Sequence, residues 1–157
     1  MKIRYKLEDG ALPPTYQKPG DAGADLALKL KTCEDVPCGI VFSGYKGGRQ
    51  ADLLPGQGAW FKTGVSFEIP EGYEGQIRPR SSCHAKGLSV AIGTIDSGYR
   101  GQVGIYLRNV GNDVITLEHG QRVAQIVFAP VVRAEFEQAE SLSESERGID
   151  GFGSTGK

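Results

Sequence analysis

Proline and glycine interrupt this chain at short intervals, and this spacing constrains the fold more than any other feature of the sequence. Turn-forming residues recur at positions 19–20, 55–56, 70–72, 97–98, 111–112 and 120. Proline fixes φ and lacks a backbone donor, whereas glycine reaches positive φ, so both interrupt regular structure. Turn signals this close together predict an all-β sandwich or barrel.

The segments between the turns carry strand patterns. Residues 65–69 alternate apolar and polar, and so do the neighbours of Val103, Ile105 and Leu107, as half-buried strands do. Residues 122–129 are apolar on both faces. This predicts a strand buried on two sides, either by a second sheet or by a neighbouring subunit.

The remaining segments predict a single domain with an appendage. One helix of one or two turns is expected near residues 82–86, and residues 32–50 are expected to form a long surface loop or hairpin. Residues 134–146 lack an apolar stripe and are expected to be extended. We therefore divide the chain into a β core, residues 1–135, and a connector with a glycine-rich C-terminal arm, residues 136–157.

Composition excludes several classes of partner. The 18 Lys and Arg residues nearly balance the 19 Asp and Glu residues, so no global field would attract nucleic acid or an acidic membrane. No apolar run approaches the ~18 residues of a membrane span, and the N-terminus does not resemble a signal peptide. We expect a soluble, cytoplasmic protein that binds neither nucleic acid nor a membrane.

The cysteines and histidines do not predict a metal site. The three cysteines are Cys33, Cys38 and Cys83, and the odd number argues against a closed disulfide framework. The histidines are His84 and His119, and the chain has no C-x-x-C pair, so a structural zinc site is not expected. We expect reduced cysteines, with a Cys33–Cys38 bridge possible only under oxidising conditions.

The glycine-rich C-terminal segment, residues 147–156, carries the groups of a nucleotide clamp. Glycines free backbone N–H groups to approach an anion. Arg147 offers a cation for phosphate, Ser154 and Thr155 offer short donors, and Phe152 offers a flat face for a base. The alternative is a disordered terminus.

Two further segments carry groups suited to a phosphate and its metal. Asp25, at an expected strand start, could hold a hydrated Mg²⁺, or it could be a solvated turn carboxylate. Residues 78–82 place two arginines and two serines directly before the expected helix. They form either an anion site or a helix cap with two surface arginines.

Gln125 is a polar side chain in an apolar run and needs a partner: a phosphate, its water or a backbone group.

Residues 93–101 predict a β-hairpin whose turn lies near Ser97 and Gly98. Asp96 precedes the turn and Tyr99 follows it. The backbone there could bind the edge of a pyrimidine, and the aromatic ring could stack on a sugar. The alternative is an ordinary turn aspartate.

Taken in order, these segments resemble the five sequence motifs of the trimeric dUTPases, from residue 21 to residue 156. The strongest matches are residues 95–101 and 147–156. The resemblance implies a jelly-roll-like β-sandwich or barrel, the dUTPase-like β-clip, with one short helix and an extended C-terminal arm. It also implies a homotrimer whose active sites are shared between subunits. The implied reaction is hydrolysis of dUTP to dUMP and pyrophosphate with Mg²⁺, which keeps uracil out of DNA and supplies dUMP for dTMP synthesis.

The resemblance also implies roles for single residues. Asp96 matches the carboxylate that activates the attacking water, Tyr99 the aromatic under the deoxyribose, and Asp25 the carboxylate that holds the metal through water. The other implied substrate contacts are Arg80, Ser81, Ser82 and Gln125 for phosphate, Gly93, Ile95 and Gly104 for uracil, and Arg147, Phe152, Gly153, Ser154 and Thr155 for the arm.

Three residues depart from the family pattern. Ser82 stands where the family usually has glycine, Gly98 where it often has an acidic residue, and Asp150 where the arm usually has glycine.

Alternative functions stay open at the sequence level. A dCTP deaminase of the same fold shares the serine pair, but it would need a glutamate where Tyr106 stands and typically has Trp or Phe at position 99. A nucleotide-dependent regulatory protein could use residues 32–50 to contact a partner. A structural jelly roll without activity would leave the arm and residues 78–82 unexplained.

Overall fold

A computed structural model of the chain describes residues 1–43, 50–146 and 148–149. Over this range the chain forms short strands, one short α-helix, α1 (Ser81–His84), and one 3-10 helix (Cys33–Asp35). The strands are β1 (Arg4–Leu7), β2 (Ala24–Ala27), β3 (Val41–Ser43), β4 (Gln50–Leu53), β5 (Gly58–Glu68), β6 (Tyr73–Pro79), β7 (Leu88–Val90), β8 (Gly93–Ile95), β9 (Gln102–Asn109), β10 (Ile115–Glu118) and β11 (Arg122–Pro130).

The strands pair antiparallel into separate sheets. Their orders are β1-β5-β9-β7, β10-β4-β3 and β2-β11-β6-β8. This confirms the expected all-β class. The sheets pack as a β-sandwich rather than closing into a barrel, because strands remain at the edges of each sheet.

The core follows the predicted alternation. In β9, Val103, Ile105 and Leu107 are at most 1% exposed, whereas Arg108 is exposed. Phe61 of β5 and Ile126 of β11 are fully buried in the same apolar cluster. Burying a side chain of this size stabilises the fold by about 1.5–3 kcal/mol, so these strands supply much of the folding energy.

A bulge lets β5 run longer than the alternating segment predicts. Its register against β9 shifts between Lys62 and Ser66. Gly64 lies inside the shift with φ +70, and a Cβ there would stand 2.6 Å from Cβ of Ala11. Only glycine fits such a position without strain. The strand therefore bends there and pairs with β1 beyond the bend.

Two-sided burial of residues 122–129 is confirmed only at the start of β11. Val123 and Ala124 are fully buried, but Val127 and Ala129 are only partly buried. One face of β11 packs on the core. Along the rest of the strand no second layer of the described chain buries the other face fully, so its burial by a neighbouring subunit stays a prediction.

The predicted hairpin at residues 93–101 is wrong in its strand pairing, although its turn is correct. The backbone N–H of Tyr99 donates to the carbonyl of Asp96 at 3.1 Å, which closes the turn. The flanking strands then diverge, because β8 pairs with β6 while β9 pairs with β5 and β7. The segment is a corner between two sheets.

The expected helix and the early hairpin are both found. α1 lies at the predicted place, and β3 pairs antiparallel with β4, which favours the hairpin alternative for residues 32–50. The described residues between β2 and β3 are anchored by Asp35. Its buried carboxylate accepts from Nζ of Lys29 at 2.8 Å and from the backbone N–H of Lys31 at 2.8 Å.

The pKa of the Asp35 carboxyl reflects opposing effects. Burial raises it, but the hydrogen bond from Lys29, two backbone hydrogen bonds and the positive charge of Lys29 outweigh burial and lower it below its usual value. The carboxylate therefore stabilises this segment as an anion.

Outside the sheets, residues 131–146 form neither helix nor strand and are largely exposed, as expected for a connector. Cys33 and Cys38 are exposed free thiols, and Cys83 is buried. No helix in the described ranges has the length and apolarity required to cross a bilayer.

Candidate active site

The phosphate-binding segment predicted from sequence lies where β6 runs into α1. Arg80 precedes the helix with extended backbone, φ −99 and ψ 139, and its carbonyl accepts from the N–H of Cys83 at 3.1 Å. Ser81 and Ser82 form the exposed first turn. Because the first N–H groups of a helix have no partner within it, this turn presents backbone donors beside two hydroxyls.

Asp25 lies between two arginines. Nε of Arg80 lies 2.7 Å from its Oδ1, and Nη1 of Arg122 lies 3.2 Å from its Oδ2. Asp25 is 7% exposed, and Nη1 of Arg80 also donates to the carbonyl of Arg122 at 3.0 Å. Two fixed cations around one carboxylate leave a local excess of positive charge, which suits an anionic ligand.

Two cationic side chains near Arg80, those of Arg122 and Lys86, were not predicted from the sequence. Arg122 and Lys86 line a space of about 320 Å³ together with Arg80 and Ser82. Arg122 faces Asp25 because β11 pairs with β2, and a bulge between Arg122 and Ala124 changes the register there. A non-local pairing of this kind leaves no signal in the local sequence.

The residues around Asp25 fit a metal ion only if a substrate supplies most of its ligands. Within the described part of the chain, no three His, Cys, Asp or Glu residues come together as a metal-binding group. Mg²⁺ commonly uses one or two carboxylates and completes its shell with waters and phosphates. The single carboxylate of Asp25, in contact with Arg80 and Arg122, matches that donor set.

Gln125 has a backbone partner. Its Nε2 donates to the carbonyl of Pro79 at 2.9 Å, and its side chain lies over Gly23, where a Cβ would collide with it. The backbone alternative therefore holds for its amide N–H. The amide also braces the end of β6 directly before Arg80.

Asp96 lies at the other end of β6, exposed on the corner turn. It lines a cleft of about 630 Å³ together with Glu71, Glu74, Arg100 and Arg133. The neighbouring Tyr99 is 46% exposed, and its hydroxyl donates to the carbonyl of Gln102 at 3.1 Å. Both side chains are thus presented by one tight, hydrogen-bonded turn.

The three predicted uracil contacts lie on both sides of this turn. Gly93 and Ile95 are in β8 and Gly104 is in β9. No ladder joins β8 to β9, and β7 pairs with β9 only from Leu107 onward. The facing edges of residues 93–95 and 102–105 therefore keep backbone groups that can bind a planar ligand between them.

The residue predicted to be catalytic and those predicted to bind phosphate are far apart within one chain. Ile95 pairs with Gly75 near the start of β6, whereas Arg80 follows its last residue. The strand rises about 3.3 Å per residue, so Asp96 and Arg80 are separated by roughly 20 Å along it. A triphosphate is much shorter than that. The predicted arm residues Arg147, Phe152, Gly153, Ser154 and Thr155 lie outside the described residues.

Comparison with known proteins identifies the class to which this fold and these two clefts belong. The dUTPase family model matches residues 48–156. The deoxyuridine 5'-triphosphate nucleotidohydrolase of Roseobacter denitrificans is 45% identical over 163 aligned residues, which cover 99% of this chain and 97% of that protein. The chain therefore belongs to the dUTPase family.

Solved structures of dUTPases have the same fold as this chain. The dUTPase of Staphylococcus bacteriophage 80alpha, in a mutant form with dUpNHpp, superposes with a TM-score of 0.80 at 29% identity, covering 99% of both chains. A mutant dUTPase of S. aureus phage phi11, whose structure describes coordination of a structural Mg(II) ion, has a TM-score of 0.74 at 23% identity. That match covers 92% of this chain and 100% of the phage chain, and it supports the fold.

Proposed function

We propose that Asp96 activates the water molecule with which this enzyme hydrolyses dUTP to dUMP and pyrophosphate. The match to the dUTPase family supports the overall reaction, hydrolysis of dUTP to dUMP and pyrophosphate. The exposed position of Asp96 on a closed turn, at the mouth of a cleft, supports its role. The reaction would keep uracil out of DNA and supply dUMP for dTMP synthesis.

Hydrolysis of a phosphoanhydride requires an aligned nucleophile, a base and neutralisation of charge. The carboxylate of Asp96 accepts a proton from water as the water oxygen attacks the α-phosphorus. The bond to the β-phosphate bridging oxygen breaks, and pyrophosphate leaves. Arg80 and Arg122, already held by Asp25, offset the negative charge together with the donors of Ser81 and Ser82.

Mg²⁺ is part of the proposal. It would neutralise the triphosphate, with Asp25 holding it through water. Mg²⁺ commonly needs only one or two protein carboxylates when phosphates and waters complete its shell, which supports this assignment. Asp25 would then serve both the metal and the two arginines.

The pyrimidine would lie between the diverging strands β8 and β9. Backbone groups of Gly93, Ile95 and Gly104 would bind the uracil edge, and Tyr99 would pack under the deoxyribose. The unpaired edges of these strands support the arrangement, because a base offers donors and acceptors in its plane.

A homotrimer would bring the two halves of the site together. The separation of Asp96 and Arg80 along β6 supports a site that takes Asp96 from one subunit and Arg80, with Gln125, from a neighbour. Arm residues Arg147, Phe152, Gly153, Ser154 and Thr155 would close over it from a third. In this proposal residues 1–135 form the core, residues 136–157 carry the arm, and the enzyme works in the cytoplasm.

Pyrophosphate release should be measured with dUTP, dCTP, dTTP and dATP. We expect turnover of dUTP alone, with a loss of about 10²–10⁴-fold in kcat for Asp96→Asn, the usual contribution of a positioned base. Near-normal turnover by Asp96→Asn would refute the assignment. Ammonia release from dCTP would favour deamination instead. Tyr106 argues against that outcome, because deamination would need a glutamate at this position. Its ring packs edge-on against Trp60, with 5.6 Å between the ring centroids.

A further inference from the structure

We propose that Arg100 is a positioning residue that fixes the turn carrying Asp96. This inference rests on the proposed role of Asp96 and gives Arg100 a part in the same reaction. It follows from the hydrogen bonds of one guanidinium group.

The guanidinium of Arg100 bridges two carbonyl groups of the turn. Its Nη1 donates to the carbonyl oxygen of Ser97 at 2.6 Å and to that of Tyr99 at 2.9 Å. These two residues flank Gly98 at the tip. A permanently charged, planar group makes stronger and more directional bonds than a neutral donor. One nitrogen atom therefore ties the two sides of the tip together.

Few other contacts hold the tip of this turn. Asp96 is fixed on one side by the pairing of Ile95 with Gly75, and on the other by the bond from the N–H of Tyr99. Around Gly98, however, no atom outside its two chain neighbours lies within 4 Å of the place where a Cβ would stand. Packing does not fix the tip, so its conformation depends on hydrogen bonds, and the two from Arg100 add to those of the Tyr99 N–H and hydroxyl.

Arg100 also lies near an acidic side chain. Arg4, Glu68 and Arg100 line one depression of about 370 Å³, and Glu68 forms a salt bridge of 2.5 Å with Arg4. The hydrogen bond from Arg4 first, and then the charges of Arg4 and Arg100, lower the pKa of Glu68. The charge of Glu68 therefore offsets part of the positive charge of Arg100.

The expected consequence concerns the chemical step more than binding. A base must hold water in line with the scissile bond, and an error of about 1 Å can cost about 10²-fold in rate. In the proposed assembly the phosphates are bound by Arg80 and its neighbours of another subunit, and these groups do not depend on the hydrogen bonds of Arg100. Loss of the Arg100 bonds should therefore lower kcat while leaving affinity for the substrate nearly intact.

The experiment compares full-length Arg100→Met, which keeps an unbranched stem but loses the donors, with Arg100→Lys, which keeps a charged donor. Arg108→Met is the matched control, since Arg108 is exposed on the following strand and its side chain makes no hydrogen bond or ion pair within the described chain. For each variant, kcat for dUTP is measured alongside Kd for the imido analogue dUpNHpp. Arg100→Met is also combined with Asp96→Asn.

We expect Arg100→Met to lower kcat about 10- to 100-fold, with Kd for the analogue changed less than about threefold. Arg100→Lys should recover part of the rate, and Arg108→Met should match the wild type. In the Asp96→Asn background, Arg100→Met should cost less than about threefold more, because groups that act together are not additive.

Wild-type kcat in Arg100→Met overturns the inference. It is also overturned if the loss is equally large in the Asp96→Asn background or in analogue affinity. If Arg100→Met does not fold, Arg100→Lys decides: a reduced kcat with unchanged Kd supports the positioning role, and unchanged kcat with a lower melting temperature overturns it. An active Asp96→Asn enzyme would refute the proposed function itself, whatever the Arg100 variants do.

Discussion

Nε of Arg80 lies 2.7 Å from Oδ1 of Asp25, and this contact joins the end of β6 to the edge strand β2 across the intervening strand β11. Arg122 of β11 contacts the other carboxylate oxygen. One buried carboxylate thus orients two cations contributed by different segments of the chain. The two guanidiniums are therefore oriented without a ligand, and in the proposed phosphate site this order would lower the cost of binding.

Replacing Asp25 with alanine should therefore destabilise the fold as well as impair catalysis. Removal of one acceptor leaves two guanidiniums without their partner, and we expect a loss of about 1–3 kcal/mol in the free energy of unfolding. Urea denaturation followed by circular dichroism would measure it. Asp52→Asn is the control, since Asp52 accepts a bond from the Thr116 hydroxyl at the surface, and it should change stability by less than about 0.5 kcal/mol. Equal losses in both variants would contradict the interpretation.

Asp35→Asn should destabilise the protein in a pH-dependent manner. The folded state lowers the pKa of Asp35. The ionised carboxylate therefore contributes fully to the free energy of unfolding above its unfolded pKa of about 3.9, and this contribution is lost as pH falls through the lower folded pKa. The difference in unfolding free energy between wild type and variant should be largest near neutral pH and shrink in acid. Urea titrations at several pH values test this. The exposed neighbour Glu34→Gln should show little change, and a difference that grows in acid would refute the argument.

Subunit complementation tests the shared site directly. Asp96→Asn and Arg80→Ala chains should each be nearly inactive alone, yet co-expressed chains should regain activity. If each site takes these two residues from different subunits, random assembly in a symmetric trimer makes roughly a quarter of the sites intact. Pyrophosphate release measures the recovery. Activity that stays at the level of the separate variants would show that both residues act within one chain.

Light scattering should give the mass of three chains of 16.8 kDa each. Deletion of residues 147–157 should leave that mass and the circular dichroism spectrum unchanged while removing most activity, because the arm is proposed to close the site without building the core. The full-length protein is the control. Aggregation of the truncated chain would show that the division into core and arm is wrong.

The sequence predicted those features that depend on neighbouring residues. The alternation around Val103, Ile105 and Leu107 identified a half-buried strand, and Ser97 with Gly98 identified a turn. It did not predict which strands pair, so the turn was assigned to a hairpin although it joins two sheets. Arg122 was missed for the same reason, since only the pairing of β11 with β2 brings it to Asp25.

Strand β6 leads directly into Arg80 at one end and pairs near its other end with β8, which leads into Asp96, and this restricts how the length of β6 can change. Because successive side chains point to opposite faces, one added or deleted residue would exchange buried and exposed positions beyond it. The same change would displace Arg80 relative to the corner that holds Asp96. Because every subunit would carry the change, a single-codon insertion in this strand should impair every site of the proposed trimer, through both its Asp96 and its Arg80.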